Sequence, residues 1–323
     1  MNVNTGKMKR LCESALLAAV FLLSIEAIMA GEIGLCDFND IGAGDVCKIN
    51  HVEALHPTQF AVGREAAQCK AINQLQAKFD SGHLQKYLEA EKRRIPVILG
   101  PGEKKGEARL YITDRHHLSA SYLFAKDNIK TRKKQRQFSN NKLVIIVIYD
   151  WRFLEAQDFW ILMEKMELAW SFDEHGIKKV LSSEHPPSDI RDLKDDPFRT
   201  ISRWVRTGAG YIKPNNAVNF LEFKWANFLR EQCHEKDNKA VCSDLVTCAT
   251  FGAQKKPTHC KAALEEAMGW VAGNSAKTFM KQKGGCSDSN ITTKCGFTGV
   301  RVKSIDLDIL NNELFCDKDP SEG

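Results

Sequence analysis

The sequence has no apolar run long enough to cross a bilayer. Its most apolar stretch, Leu16–Ile25, covers ten residues, against the roughly 20 that a spanning helix requires. No two cysteines stand at the two-to-four-residue spacing of a zinc knuckle, which argues against a structural zinc site. No cysteine lies between Cys69 and Cys233, so the middle of the chain offers neither a thiol nucleophile nor a disulfide. No segment repeats, which argues against a solenoid or propeller. Charge of one sign is also missing: 46 basic residues face 41 acidic ones, and a net charge of +5 does not by itself imply a nucleic-acid partner.

What is there begins with Lys7, Lys9 and Arg10, ahead of the Leu16–Ile25 run and the small residues Ala27 and Ala30. This is the layout of a secretory signal peptide over 1–30, cut after Ala30, with an uncleaved anchor as the rival reading. It predicts an exported, periplasmic or secreted protein with no stable membrane association after cleavage. The cysteines agree. Setting aside Cys12 leaves ten disulfide candidates: Cys36, Cys47, Cys69, Cys233, Cys242, Cys248, Cys260, Cys286, Cys295 and Cys316. An even number crowded towards one end reads as a disulfide framework in an oxidising compartment. Three lie early and seven late, so full pairing requires at least one bridge between the two groups.

Periodicity predicts an α+β body. Helical spacing covers Ala66–Leu88, Leu154–Trp170, Asp189–Val205 with a break at Pro197, and Phe220–Gln232. Ile95–Leu99, Arg109–Ile112 and Leu143–Tyr149 read as strands, the last a β-branched run buried on both faces. Large apolar runs thin out near Cys233, which sets the boundary between a body at 31–232 and a Cys-rich region at 233–323. The basic run Lys126, Lys130, Arg132, Lys133, Lys134 and Arg136 reads first as a solvated helix end, with a phosphate-backbone contact as the alternative.

The segment Leu110–Ala125 is the first candidate for a chemical centre. It reads as a strand that breaks at Thr113-Asp114 and enters a helix through Arg115, His116 and His117. Unsatisfied N–H groups at a helix start attract phosphate, and the side chains add donors and acid/base groups. If the site hydrolyses phosphodiesters, His116 or His117 activates water and Asp114 orients a histidine or helps hold a divalent cation such as Mg²⁺. Arg115 would neutralise charge developing on phosphate. Successive helical residues point about 100° apart, so the two histidines cannot serve one atom equally. Asp114 can equally be a simple N-cap. In His56-Pro57-Thr58-Gln59, Thr58 and Gln59 are candidate base or sugar contacts, and Arg64 is a candidate phosphate contact; structural roles compete for each. The Asp195-Asp196-Pro197 turn reads as a helix boundary.

Three blocks together resemble a known family: Leu55–Gly63, Ile95–Leu118 and Asp192–Arg199. In this order they are similar to the exported branch of the ParB-like nucleases, within the ParB/sulfiredoxin superfamily, over roughly 50–230. The resemblance implies a ParB N-terminal/sulfiredoxin-like core with added helices and a disulfide-rich C-terminal extension. Where ParB proteins carry a Gly-Glu-Arg-Arg box for nucleotide phosphates, this chain has Asp114-Arg115-His116-His117. A phosphate role is retained, whereas ParB-type CTP binding is not implied. Sulfiredoxins place a reactive cysteine at this junction and this chain has none. Related ADP-dependent serine kinases carry an Asp-Gly-His-His-Arg box, which is chemically closer, but an exported protein meets little ADP. Two functions stay open: a secreted nuclease or phosphodiesterase, and a non-catalytic module that binds nucleotide or nucleic acid. The Cys-rich tail, outside the resemblance, is a candidate surface for a protein partner.

Overall fold

A computed structural model describes residues 33–300 except 39, 103–106 and 252–256. The expected signal segment and Cys316 lie outside the described residues. In chain order the elements are β1 (Val46–Lys48), β2 (Leu55–Pro57), β3 (Ala61–Val62) and helix α1 (Arg64–Lys70). Helix α1 continues through a π-helical stretch, Ala71–Gln76, and a last turn, Ala77–Asp80. Then come α2 (Leu84–Glu89), β4 (Ile95–Pro101), β5 (Ala108–Ile112), α3 (His116–Asp127), α4 (Arg132–Ser139), β6 (Val144–Asp150) and α5 (Ala156–Lys165). Strand β7 (Lys194–Asp195) and helices α6 (Pro197–Thr207) and α7 (Leu221–Gln232) complete the central part. Four more helices follow: α8 (Lys239–Phe251), α9 (Pro257–Val271), α10 (Asn274–Gln282) and α11 (Ile291–Cys295).

Five strands form one mixed sheet in the order β1-β6-β4-β5-β2, and β3 pairs in parallel with β7 beside it. Period-two alternation fixes which side chains go where. Val97, Leu99, Leu110 and Ile112 face a core shared with Leu75, Leu123 and Phe138. Ile98 and Tyr111 face the other way, onto Phe159, Trp160 and Met163 of α5. A Cβ at position 100 would lie 2.6 Å from the rings of Phe159 and Tyr111, so glycine there lets α5 press onto the sheet. The result is the mixed α/β architecture that the strand and helix order predicts.

Several boundaries differ from the sequence pattern. Helix Ala66–Leu88 is two helices, because Gly82 takes φ +72°. Strand β6 is buried on both faces only at its start: Tyr149 is 39% exposed and stacks on Trp151. Helix α5 stops at Lys165, and Trp170 instead bridges Gln59 as a strand-like residue. Its periodicity continues past the helix because Trp170 is buried for another reason, as described below. Pro197 does not interrupt a helix. It occupies the first turn of α6, with Asp196 as N-cap accepting from Phe198 N–H at 2.9 Å and Arg199 N–H at 3.2 Å, the position where proline's fixed φ and missing donor cost nothing.

A second hydrophobic cluster draws on both sides of Cys233. Ile201, Trp204, Tyr211, Trp225 and Phe228 pack with Leu245, Leu264, Met268 and Met280, and Trp225 Nε1 donates to Cys295 O at 3.0 Å. Cys233–Cys242, Cys248–Cys260 and Cys286–Cys295 staple these helices, and Cys36–Cys47 staples the start of the sheet. Each closes a loop of 9 to 12 residues, worth about 2–3 kcal/mol in the chain-entropy picture. Cys69 is disulfide-bonded as well. Four such bridges are compatible with an extracellular protein. Among the described residues no helix is long and apolar enough to cross a membrane.

Candidate functional site

Strand β5 ends at Ile112, and helix α3 starts at His116. Between them Arg115 adopts the left-handed conformation, φ +70°, which costs a non-glycine residue about 1–3 kcal/mol. Asp114 Oδ1 accepts the Arg115 N–H at 2.7 Å and so holds that turn. Asp114 is therefore not the N-cap; Arg115 is, without a side-chain cap bond.

The two histidines go to different partners, as their helical spacing requires. Buried His116 accepts the Thr58 N–H at Nε2, 3.0 Å away. His117, half-buried, accepts the Gly63 N–H at Nε2, 3.2 Å away. A ring nitrogen that accepts must be unprotonated, so the proton of each neutral imidazole sits on Nδ1. Burial pushes His116 down to about 3 despite Asp114, and burial with Arg199, Arg203 and Lys70 nearby pushes His117 well below its ordinary value. Both rings are neutral near pH 7, with the lone pair of Nε2 committed to backbone. Thr58, fully buried, also donates through Oγ1 to Ile112 O at 2.7 Å. The Leu55–Gly63 block is thus the facing wall of the junction, fastened to it by histidine. Gly63 is required there: a Cβ would lie 2.7 Å from Thr200 Oγ1 and 2.8 Å from Thr200 N.

In front of the junction lies a cleft of about 540 Å³. Gln59, Asp114, Arg115, His116 and His117 line it. Thr58 sits behind His116, and Arg64 is not in the lining: it is exposed at the start of α1, where its N–H donates to Asp195 Oδ1 at 2.9 Å. The basic run at Lys126–Arg136 is elsewhere, on the end of α3 and on α4, which is anchored by Phe138. Among the described residues no group of three or more His, Cys, Asp or Glu side chains is placed to hold a metal ion. The carboxylates of the cleft pair with cations, Asp114 with Arg115, Glu167 with Lys224 and Glu222 with two arginines.

The opposite wall is cationic. Arg199, Arg203 and Arg206 of α6 line it, with Lys70 at the end of α1, Arg93, and Lys213 before α7. Arg199 is 5% exposed. Its Nη2 pairs with Glu222 Oε2, while Nε and Nη1 have no hydrogen-bond partner. Glu222 Oε1 pairs with Arg206 Nη1 at 2.7 Å. Burial alone would raise the Glu222 carboxyl, but Arg199 and Arg206 hold it down, at about 2. Burial, then Arg93, Arg203 and Arg115, drive the Lys70 ammonium down to about 7, with Glu222 opposing. Left-handed backbone concentrates here too. Of four non-glycine residues with positive φ among the described residues, Arg115, Glu167 and Phe220 line this cleft. Strain of this kind gathers at functional sites.

Sequence reasoning passed over Lys70, Arg203, Arg206 and Glu222. The arginines did leave a signal: 199, 203 and 206 stand at i, i+4 and i+7, one stripe of a helix. Lys70 and Glu222 left none, because their role comes from α1 and α7 meeting α6 in space.

Residues 48–231 match the family described as “Putative ParB-like nuclease”. The chain is also similar to a solved structure, “Crystal structure of protein Atu1540 from Agrobacterium tumefaciens”. The identity is 25% over 72% of this chain and 95% of that one, with a TM-score of 0.49. No curated protein matches the chain.

Proposed function

We propose, from the premise that this chain belongs to the ParB-like nuclease family, that its cleft holds the phosphates of nucleic acid. Membership supports a nucleic-acid-related function; the cleft says how it would work. The observation that carries the reading is the cleft lining, which gathers seven arginine and lysine side chains, the buried Arg199 among them. Guanidinium matches phosphate geometrically, and Arg115, Arg203, Arg93 and Lys70 surround the same space. On the other wall, Nδ1–H of His117 is a further neutral donor. Four disulfides and the sequence of residues 1–30 support action outside the reducing cytosol.

Hydrolysis is the second reading, and Lys70 favours it. With both histidine Nε2 atoms committed, Lys70, driven down to about 7, is the cleft group poised to exchange a proton near neutral pH. It would take a proton from water as the oxygen attacks phosphorus, and return it to the departing sugar oxygen as the P–O bond breaks. Asp114 and Arg115 would then order the turn and neutralise phosphate charge.

The test uses a labelled single-stranded oligonucleotide with the purified, disulfide-intact protein. Binding at low salt should weaken at least about tenfold in Arg115→Ala/Arg203→Ala, given that phosphate contacts dominate such affinity. Unchanged affinity in the folded double variant would place the site elsewhere. Cleavage of DNA or RNA, followed with Mg²⁺, Mn²⁺ or chelator and lost in Lys70→Met, would select the enzyme; binding without turnover would select the module.

A further inference from the structure

Beside the cleft lies a second groove, of about 680 Å³, that the reading above does not use. Its wall is aromatic. Trp170 sits 4.9 Å from Phe172, 5.5 Å from Phe220 and 5.2 Å from Phe223, measured between ring centres. Trp170 is fixed by its own backbone, whose N–H donates to Thr58 O at 2.8 Å. Trp170 and Phe223 are buried, whereas Phe172 and Phe220 are half-exposed and line the groove. The groove and the cationic cleft adjoin, with Glu167 and Phe220 in both linings. These two residues hold left-handed backbone at φ +52° and +54°, strain that turns the chain at the junction between the two spaces.

We infer that this groove, walled by Trp170, Phe172 and Phe220, is a nucleobase subsite, and that the nucleic acid in the cleft is single-stranded. The inference rests on the phosphate reading of the cleft. A basic track beside an aromatic platform is how single strands are held without sequence preference: phosphates meet the cations and bases stack on the rings. A duplex keeps its bases stacked inside and cannot offer them to a side wall. The rim is polar: His175 is exposed there, and Lys178 and Lys283 each pair with a carboxylate, Glu164 and Glu231. Asn227 and His234 at the groove supply polar edges suited to a base.

The experiment compares two oligomers of equal length and charge, oligo-dT and an abasic strand, binding to the full disulfide-intact protein by fluorescence anisotropy at fixed salt. The wild type should bind oligo-dT about tenfold or more tighter than the abasic strand, the range stacking on an aromatic gives. It should also lose tryptophan fluorescence only with oligo-dT. Phe172→Ala should erase the preference while leaving abasic affinity intact, which also shows that the variant is folded; Phe172→Tyr should keep the preference. Equal wild-type affinity for the two strands overturns the base subsite and leaves the phosphate reading standing. Failure to bind either strand at low salt overturns both.

Discussion

The cleft is bounded by two walls that solve different problems. One is the strand-to-helix junction, where His116 and His117 accept N–H groups from Thr58 and Gly63 and stay neutral. The other is helix α6, where Arg199, Arg203 and Arg206 converge with Lys70. The first wall spends its polar atoms on backbone and so fixes the shape of the site. The second keeps positive charge facing the open space, with one carboxylate, Glu222, between two of its arginines. Residue type alone is thus a poor guide to placement: the histidines, chemically versatile, are committed to backbone, while the arginines, which keep their charge, line the open space.

The largest expected effect comes from breaking the cationic wall at its keystone. Glu222→Ala leaves Arg199 and Arg206 without their shared partner, and removing one member of a buried ion pair costs about 3–5 kcal/mol. Urea denaturation should show that loss, and a variant as stable as wild type would mean the triad does not hold α6 to α7.

The junction wall should respond more mildly and in a different currency. His116→Ala orphans the Thr58 N–H and should cost about 1–3 kcal/mol of stability, while His116→Gln, which keeps an acceptor, should restore most of it. The pH sign follows from the lowered His116 value. Below about 6.5 the unfolded chain takes up a proton that the folded ring, held near 3, refuses, so stability falls as pH drops through that window. His116→Gln should flatten the acid side of a Tm-against-pH curve; an unchanged slope would contradict the neutral, buried imidazole.

The smallest effect separates Lys70 from its arginine neighbours. A bound phosphate adjacent to Lys70 raises its proton affinity, so binding above pH 7 takes up a proton. Arg93, Arg203, Arg115 and Glu222 also face this group and keep their charges over that range. Affinity should therefore fall as pH rises from about 7 to 9, by at most about tenfold per unit for one proton. Lys70→Met should abolish the dependence. A wild-type affinity flat over that range would remove Lys70 from the phosphate contact.

Much of the architecture was legible because it rests on local pattern. The runs at Ile95–Leu99, Arg109–Ile112 and Leu143–Tyr149 mark the central strands, since alternation and β-branching act within a few residues. The junction at Asp114–His117 was legible for the same reason. Boundaries failed where burial has two causes: Trp170 continues the period of α5 yet is buried as the partner of Gln59 and Phe172. The arginine stripe was readable in principle, but its meaning depends on Lys70 and Glu222, brought in from 129 residues before and 23 residues after Arg199. A constellation assembled across that separation has no trace in any one window. The densest basic run, Lys126–Arg136, lies outside the cleft, in keeping with its first reading as a solvated helix end.

The most direct test of the central claim, that the arginine wall grips a phosphate backbone, is the salt dependence of oligo-dT affinity in wild type and Arg115→Ala/Arg203→Ala. Each single-strand phosphate neutralised contributes about −0.7 to the slope of log affinity against log salt. Three or more contacts predict a wild-type slope of about −2 or steeper, and the double variant should be shallower by about 1.4. A flat wild-type slope, or the same slope in both proteins, would contradict the account.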